Sequence, residues 1–400
     1  MDDTSISFDG ARGAGRQLVV CLDGTGNRFS DCPTNVIRVL RSLPADPAST
    51  LAYYDQGVGT FGLKETLFEW QKLPARVLGL AFGWGLRRLV EGAYCFLAQN
   101  YRPGDQIFIF GFSRGAFAAR ALAALVRAVG LVSAHQSHLF DHAWAMLLAR
   151  EKRGGRADFE PDFELQGRFK ATFGRNVRIR MLGLFDTVKS VGWVYDPVII
   201  PFSADNSCVE AVRHAVSIDE RRGFFRQHLW RARPSRPTDH KEVWFAGVHS
   251  DVGGGYPPAE AQLALVSLRW MLGEAAALGL RLDPVRAAKE LAPSNGARPG
   301  ALAPLHDSMT AAWKLAEWVP RRVWQGPGKG RRWLIGAVPP FGKPRARLLP
   351  PDALIHRSVR ERLDAGMGYA LPNQPAGLGV ADDAPLELPL QATRRRARAA

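Results

Sequence analysis

The sequence predicts an α/β fold, a mostly parallel sheet covered on both faces by helices. Three observations carry that expectation. Short apolar runs recur along residues 17–246, each closed by a turn rich in Gly, Asp or Pro, which is how buried parallel strands read. Longer stretches of helical character separate them, and such alternation implies crossover connections. The composition is that of a globular chain, with 46% hydrophobic and 23% charged residues.

Taken in order, residues 1–16 are Gly-, Ser- and Asp-rich and are expected to be disordered. Gln17–Asp23 is the first strand, ending in Asp23-Gly24-Thr25-Gly26-Asn27. Thr34 caps a helix running to about Leu43. Thr50–Asp55 is the second strand, and residues 64–99 are helical with a new start at Pro74. Gln106–Phe110 is the third strand, and an Ala-rich helix spans Arg114–Val129. Residues 136–174 read as helical and more polar. Val177–Phe185 is the fourth strand, closed by Asp186. Ser207–Asp219 is expected as a helix, Glu242–Ala246 as the fifth strand, and Ala259–Leu278 as a helix. Beyond about residue 280 the pattern weakens. Residues 17–280 are thus expected to form the main α/β domain, with insertions at about 136–174 and 187–206. Residues 281–400 form a C-terminal extension that carries Trp313, Trp318 and Trp324 among Arg321, Arg322 and Lys329, and ends in a basic tail at Arg394-Arg395-Arg396.

The net charge of +15 suits anionic partners: nucleic acid, lipid headgroups or acidic substrates. No zinc-finger spacing, RNA-recognition motif or helix-turn-helix signature accompanies it, so nucleic acid is not expected. Cys21, Cys32, Cys95 and Cys208 are scattered without C-x-x-C spacing, which points to a reducing compartment and no metal. The acidic start Met1-Asp2-Asp3 lacks the pattern of a signal peptide. The longest apolar stretch, Val77–Ala98, is interrupted by Arg87, Arg88 and Glu91, a poor membrane span. These features set a cytoplasmic expectation.

The chemistry centres on Gly111-Phe112-Ser113-Arg114-Gly115, placed between a strand and a helix. This is the context of a nucleophile elbow, whose tight turn needs glycine at Gly111 and Gly115 and lifts the Ser113 hydroxyl off the sheet. The Arg114 N–H, at the positive end of the helix, faces a developing oxyanion. A serine nucleophile needs a base, and the base needs an orienting acid. Asp186 is the leading acid and His249, in the loop Gly247–Tyr256, the leading base. Asp251 is the rival acid, with a loop-shaping role favoured for it beside Gly253 and Gly254. Gly24 and Thr25, after Asp23, are candidates for the second oxyanion donor. A haloacid-dehalogenase-like reading of Asp23-Gly24-Thr25 fails, because Cys21 stands where that chemistry needs an aspartate. An α/β-hydrolase fold follows, with no cofactor required.

The ordered motifs LVVCLDGTGN, GFSRGAFAAR, GLFDTV, Ile218-Asp219-Glu220-Arg221-Arg222 and GVHSDVGGGY, with IHRSVRERL around His356, resemble a family of bacterial and fungal α/β-hydrolases. That family contains the catalytic domain of type VI secretion phospholipase effectors. The resemblance covers roughly residues 17–270. It implies a Ser-Asp-His triad on Ser113, Asp186 and His249, and hydrolysis of lipid or other carboxylic esters. The Trp- and Arg-bearing stretch 313–333 reads first as an ordinary packed helix with a solvated basic face, and second as a peripheral contact with an anionic membrane. The alternatives are a non-catalytic or a nucleic-acid-binding protein on a hydrolase scaffold.

Overall fold

Apolar side chains that alternate across a strand need cover on both faces, and the central strands here meet that need with helices. The computed structural model describes residues 15–24, 31–57, 75–148, 150–153, 156–188, 192–193, 196–197, 200–230, 238–293, 300–317, 321–324, 331–334 and 346–388. In chain order it runs β1 (Gln17–Leu22), α1 (Asn35–Arg41), β2 (Thr50–Asp55), α2 (Ala75–Asn100), β3 (Gln106–Phe112) and α3 (Arg114–Val129). Next come α4 (Phe140–Leu148), a hairpin of β4 (Arg150–Arg153) and β5 (Arg156–Pro161), α5 (Phe163–Phe173) and β6 (Ile179–Phe185). A short pair, β7 (Gly192–Trp193) and β8 (Asp196–Pro197), precedes β9 (Val209–Ser217) and β10 (Asp239–Phe245). Then follow α6 (His249–Gly253), α7 (Gln262–Ala277), α8 (Pro284–Leu291), α9 (Ala311–Ala316) and a second hairpin of β11 (Arg321–Trp324) and β12 (Arg331–Leu334). The chain closes on β13 (Leu354–His356), α10 (Arg357–Asp364) and β14 (Gly379–Ala381).

Eight strands make one sheet in the order β14-β13-β10-β9-β6-β3-β1-β2. Every neighbouring pair in it is parallel. The expected α/β class is therefore correct. Leu18, Val20 and Leu22 of β1 face the helices α2 and α3, while Val19 and Cys21 face α1 and α7. Each such side chain, taken fully out of water, contributes about 1.5–3 kcal/mol. The strand order reverses between β1 and β3. In open parallel sheets, that switch point opens a crevice at the carboxyl ends of the strands.

Two expectations need correction. Residues 207–219, expected as a helix, form the central strand β9 instead. Val209, Val212 and Val216 recur at helical spacing, but the charged residues between them find partners across the sheet. Arg213 pairs with Glu274 and Asp239, and His214 Nδ1 lies 2.7 Å from Glu242 Oε1. A polar group at sheet centre is tolerable when so paired. Within 136–174, expected as helical, the β4–β5 hairpin separates α4 from α5. Residues 281–388 also contribute more than an appendage, since β13 and β14 extend the same sheet. Residues 1–14 and the basic tail lie outside the described residues.

Candidate active site

A turn with no room for side chains on its flanks is what the elbow requires, and the packing shows it. A methyl group on Gly115 would lie 2.2 Å from the Leu22 carbonyl oxygen and 2.6 Å from that of Asp23. One on Gly111 would lie 2.6 Å from Ala116 Cα. Both obstacles are backbone, so neither can swing aside. Gly115→Ala is accordingly expected to cost about 1–3 kcal/mol through overpacking, and chemical denaturation reads that loss directly. An unchanged midpoint with an unchanged slope would remove this account.

Ser113 sits at the turn with φ 59° and ψ −121°, a conformation that non-glycine residues seldom adopt. Such strain persists only where the surroundings enforce it. Here the Ser113 N–H donates to the Phe185 carbonyl at 3.0 Å, tying the elbow to the end of β6. The next residue on that strand is Asp186, itself at φ 37°. Its own N–H donates to Ala215 O of β9 at 2.7 Å.

Asp186 is fully buried and shares its carboxylate between two sides. Oδ2 accepts from His249 Nδ1 at 2.5 Å. Oδ1 accepts from the Ser217 N–H at 3.0 Å and from the Arg347 guanidinium. Burial alone pushes this carboxyl up, but Arg347 and His249 outweigh it and hold it far below the usual carboxylate range. An ionised acceptor at Nδ1 assigns the proton there and leaves His249 Nε2 as the free base. Burial draws the His249 imidazole below its ordinary value, against the upward pull of Asp186.

His249 belongs to the one-turn helix α6, where the sequence suggested an open glycine-rich loop. Its ring packs against Phe112, the residue before Ser113, with centroids 4.6 Å apart, and meets Phe225 edge-on at 4.9 Å. Gly253 leaves room for that stack, because a methyl there would fall 1.8 Å from the Phe112 ring. Three strand ends, those of β3, β6 and β10, thus deliver a serine, a carboxylate and an imidazole to one edge of the sheet.

A family model described as the type VI secretion phospholipase effector Tle1-like catalytic domain matches residues 16–274, well over half of the chain. The chain belongs to this Tle1-like family. It is 35% identical over 243 residues to the uncharacterised protein YEL023C of Saccharomyces cerevisiae, covering 59% of this chain and 36% of the yeast protein. The chain thus spans little more than a third of that relative's length. Among solved structures, an uncharacterised Pseudomonas aeruginosa protein aligns with a TM-score of 0.41 at 21% identity, covering 67% of this chain and 46% of that one. The Tle1 effector bound to the VgrG spike of the type 6 secretion system aligns with a TM-score of 0.41 at 17% identity, covering 86% and 96%.

The other predicted residues of this Tle1-like chain fall as follows. Asp23 is buried at the end of β1, its carboxylate accepting from Thr34 Oγ1 at 2.5 Å and Tyr54 Oη at 3.2 Å. It also takes the Gly24 N–H at 2.7 Å, so that donor is engaged within the loop rather than aimed at the crevice. Thr25 lies outside the described residues. Asp251 bonds the Val248 N–H at 2.9 Å and His306 Nδ1 at 2.6 Å, bracing α6. Gly254, at φ 81°, packs on Thr34 and Asn35 and joins α6 to the β1 side of the crevice.

Sequence reasoning assigned no role to several residues at the site. Glu220 Oε2 accepts the His249 N–H at 3.2 Å, and Arg222 clamps the same carboxylate at 2.8 Å. Arg222 lies over the Phe225 ring at 3.6 Å. Glu220 and Arg222 stand within the quoted stretch 218–222, so a signal for them existed. Ser217 and Arg347 had none.

Proposed function

We propose that this chain is a serine hydrolase that cleaves carboxylic esters of lipids, phospholipids foremost, through an acyl-enzyme. The observation that carries the reading is the 2.5 Å contact between Asp186 Oδ2 and His249 Nδ1 beside a strained elbow serine. Family membership supports ester hydrolysis on lipids in general.

In this reading His249 Nε2 takes the Ser113 proton as Oγ attacks the ester carbonyl. Asp186 holds the ring in the right tautomer and stabilises the imidazolium. The Arg114 N–H, at the start of α3, stabilises the tetrahedral oxyanion. His249 then protonates the leaving alcohol, and water, activated by the same base, releases the acid. Peripheral contact with an anionic membrane brings the enzyme to its substrate. Among the described residues no helix is long and apolar enough to cross a bilayer.

A hydrolysis panel of p-nitrophenyl esters and defined phospholipids tests the proposal. Release of fatty acid from phospholipid is the expected result. Turnover of neither class by the folded chain would end the reading. Flotation with vesicles containing or lacking anionic lipid tests the membrane contact, and salt-sensitive binding to the anionic set is expected.

A further inference from the structure

We propose that Arg347 is the positioning residue of the acid, so that the C-terminal part of the chain, beyond the residues 16–274 that the family model matches, completes the catalytic site. This rests on the serine-hydrolase reading above and adds a fourth member to it.

The geometry is that of a built contact. Arg347 is 2% exposed. Its Nη1 donates to Asp186 Oδ1, to Ser217 Oγ at 2.7 Å and to Ser217 O at 3.2 Å. Its Nη2 donates to the Phe225 carbonyl. Phe225 is the residue whose ring edge meets His249. One guanidinium therefore grips the acid on one side of the imidazole and the aromatic on another. The segment that bears it is itself pinned. Leu349 is buried among Val216, Ile218 and Ile355, and its N–H and carbonyl both bond the Asn373 side chain, at 2.9 and 3.0 Å.

The charge matters as much as the grip. The groups around the imidazole are Asp186 at Nδ1, Arg347 beyond it, Glu220 at the backbone N–H, and Arg222 clamped on Glu220. On the imidazole's own helix, Asp251 pairs with His306. Behind Asp186, His214 bonds the Thr187 N–H and pairs with Glu242. Glu220 is answered by Arg222, which leaves Asp186 to be balanced by Arg347. A positive charge there opposes protonation of His249, so the base stays competent to lower pH. Removing that charge makes the imidazolium easier to form and moves the acidic limb of activity upward.

The test uses the full chain and two readouts. The first is the rate of fluorophosphonate labelling at Ser113 between pH 4 and 9, with folding checked by circular dichroism. Arg347→Met is expected to slow labelling roughly 10–100-fold at neutral pH, the scale of a misplaced catalytic group, and to raise the midpoint of the acidic limb by about one unit. Arg347→Lys keeps the charge and loses the fork, so it should slow labelling about tenfold with its midpoint near that of the wild type. A merely structural arginine would change amplitude and leave both midpoints alone, and a wild-type midpoint in Arg347→Met overturns the proposal. If Arg347→Met does not fold, Arg347→Gln, which also removes the charge but keeps hydrogen-bond donors, takes its place, and a wild-type midpoint in it overturns the proposal. The second readout is the NMR titration of the His249 ring, expected to move upward in Arg347→Met. It needs no turnover. Absence of labelling in the wild type would therefore sink the serine-hydrolase reading, while the titration still judges Arg347.

Discussion

Ser113→Ala is expected to lower ester turnover by about 10⁴- to 10⁶-fold and to abolish fluorophosphonate labelling. The loss is large because in the proposed mechanism the hydroxyl forms the bond to the acyl group, and no other residue stands in its place on the elbow. Stability should hardly change. The Ser113 N–H and carbonyl make the contacts that secure the turn, to Phe185 O and from the Phe117 N–H, and alanine keeps both. Any residual rate would report what the oxyanion donors and substrate binding achieve alone. Full activity in a folded Ser113→Ala protein would show that the chemistry lies elsewhere.

Asp186→Asn should produce the second largest effect, a drop of about 10⁴-fold in kcat. The reason lies in hydrogen-bond direction. Ser217 and Arg347 both donate to Oδ1, so asparagine must turn its carbonyl oxygen toward them. Its NH₂ group then faces His249 Nδ1, which has to accept. The ring proton moves to Nε2, and the base is lost. The same change strands a buried guanidinium, at a cost of about 3–5 kcal/mol when one partner of a buried pair is removed.

The pH dependence of stability carries the matching sign. The Asp186 carboxyl titrates far lower in the folded chain than in the unfolded one, so its contribution is present above the unfolded value of roughly 3.9. It fades as pH falls below that value. The stability gap between wild type and Asp186→Asn should therefore narrow in acid. Denaturation curves at pH 7 and pH 3 check this, and a gap that widened at low pH would contradict the pairing.

Much of the site was legible because its signals are local. Gly111 and Gly115 flank a serine after an apolar run, and this pattern has one sterically sound arrangement at the end of a buried strand. Asp186 and His249 could be named for a similar reason, each following a strand by a few residues, where a parallel sheet collects its functional groups. Asp251 was read as a loop-shaping rival to Asp186, and its bonds to Val248 and His306 agree with that role. Gly24 illustrates the limit of such reasoning, since a small residue in the right place says nothing about which acceptor takes its N–H.

By itself the sequence determined most of the alternation of strands and helices and where β1, β2 and β6 end, because hydrophobic periodicity and turn chemistry act over a few residues. Tertiary structure alone decided that 209–217 is a strand, since Arg213 and His214 become tolerable at sheet centre only through partners at Glu274 and Glu242. It also decided that Arg347, 161 positions from Asp186 along the chain, closes on that carboxylate. A buried charge seeks its counter-charge in space, and that search leaves no trace in the spacing of residues.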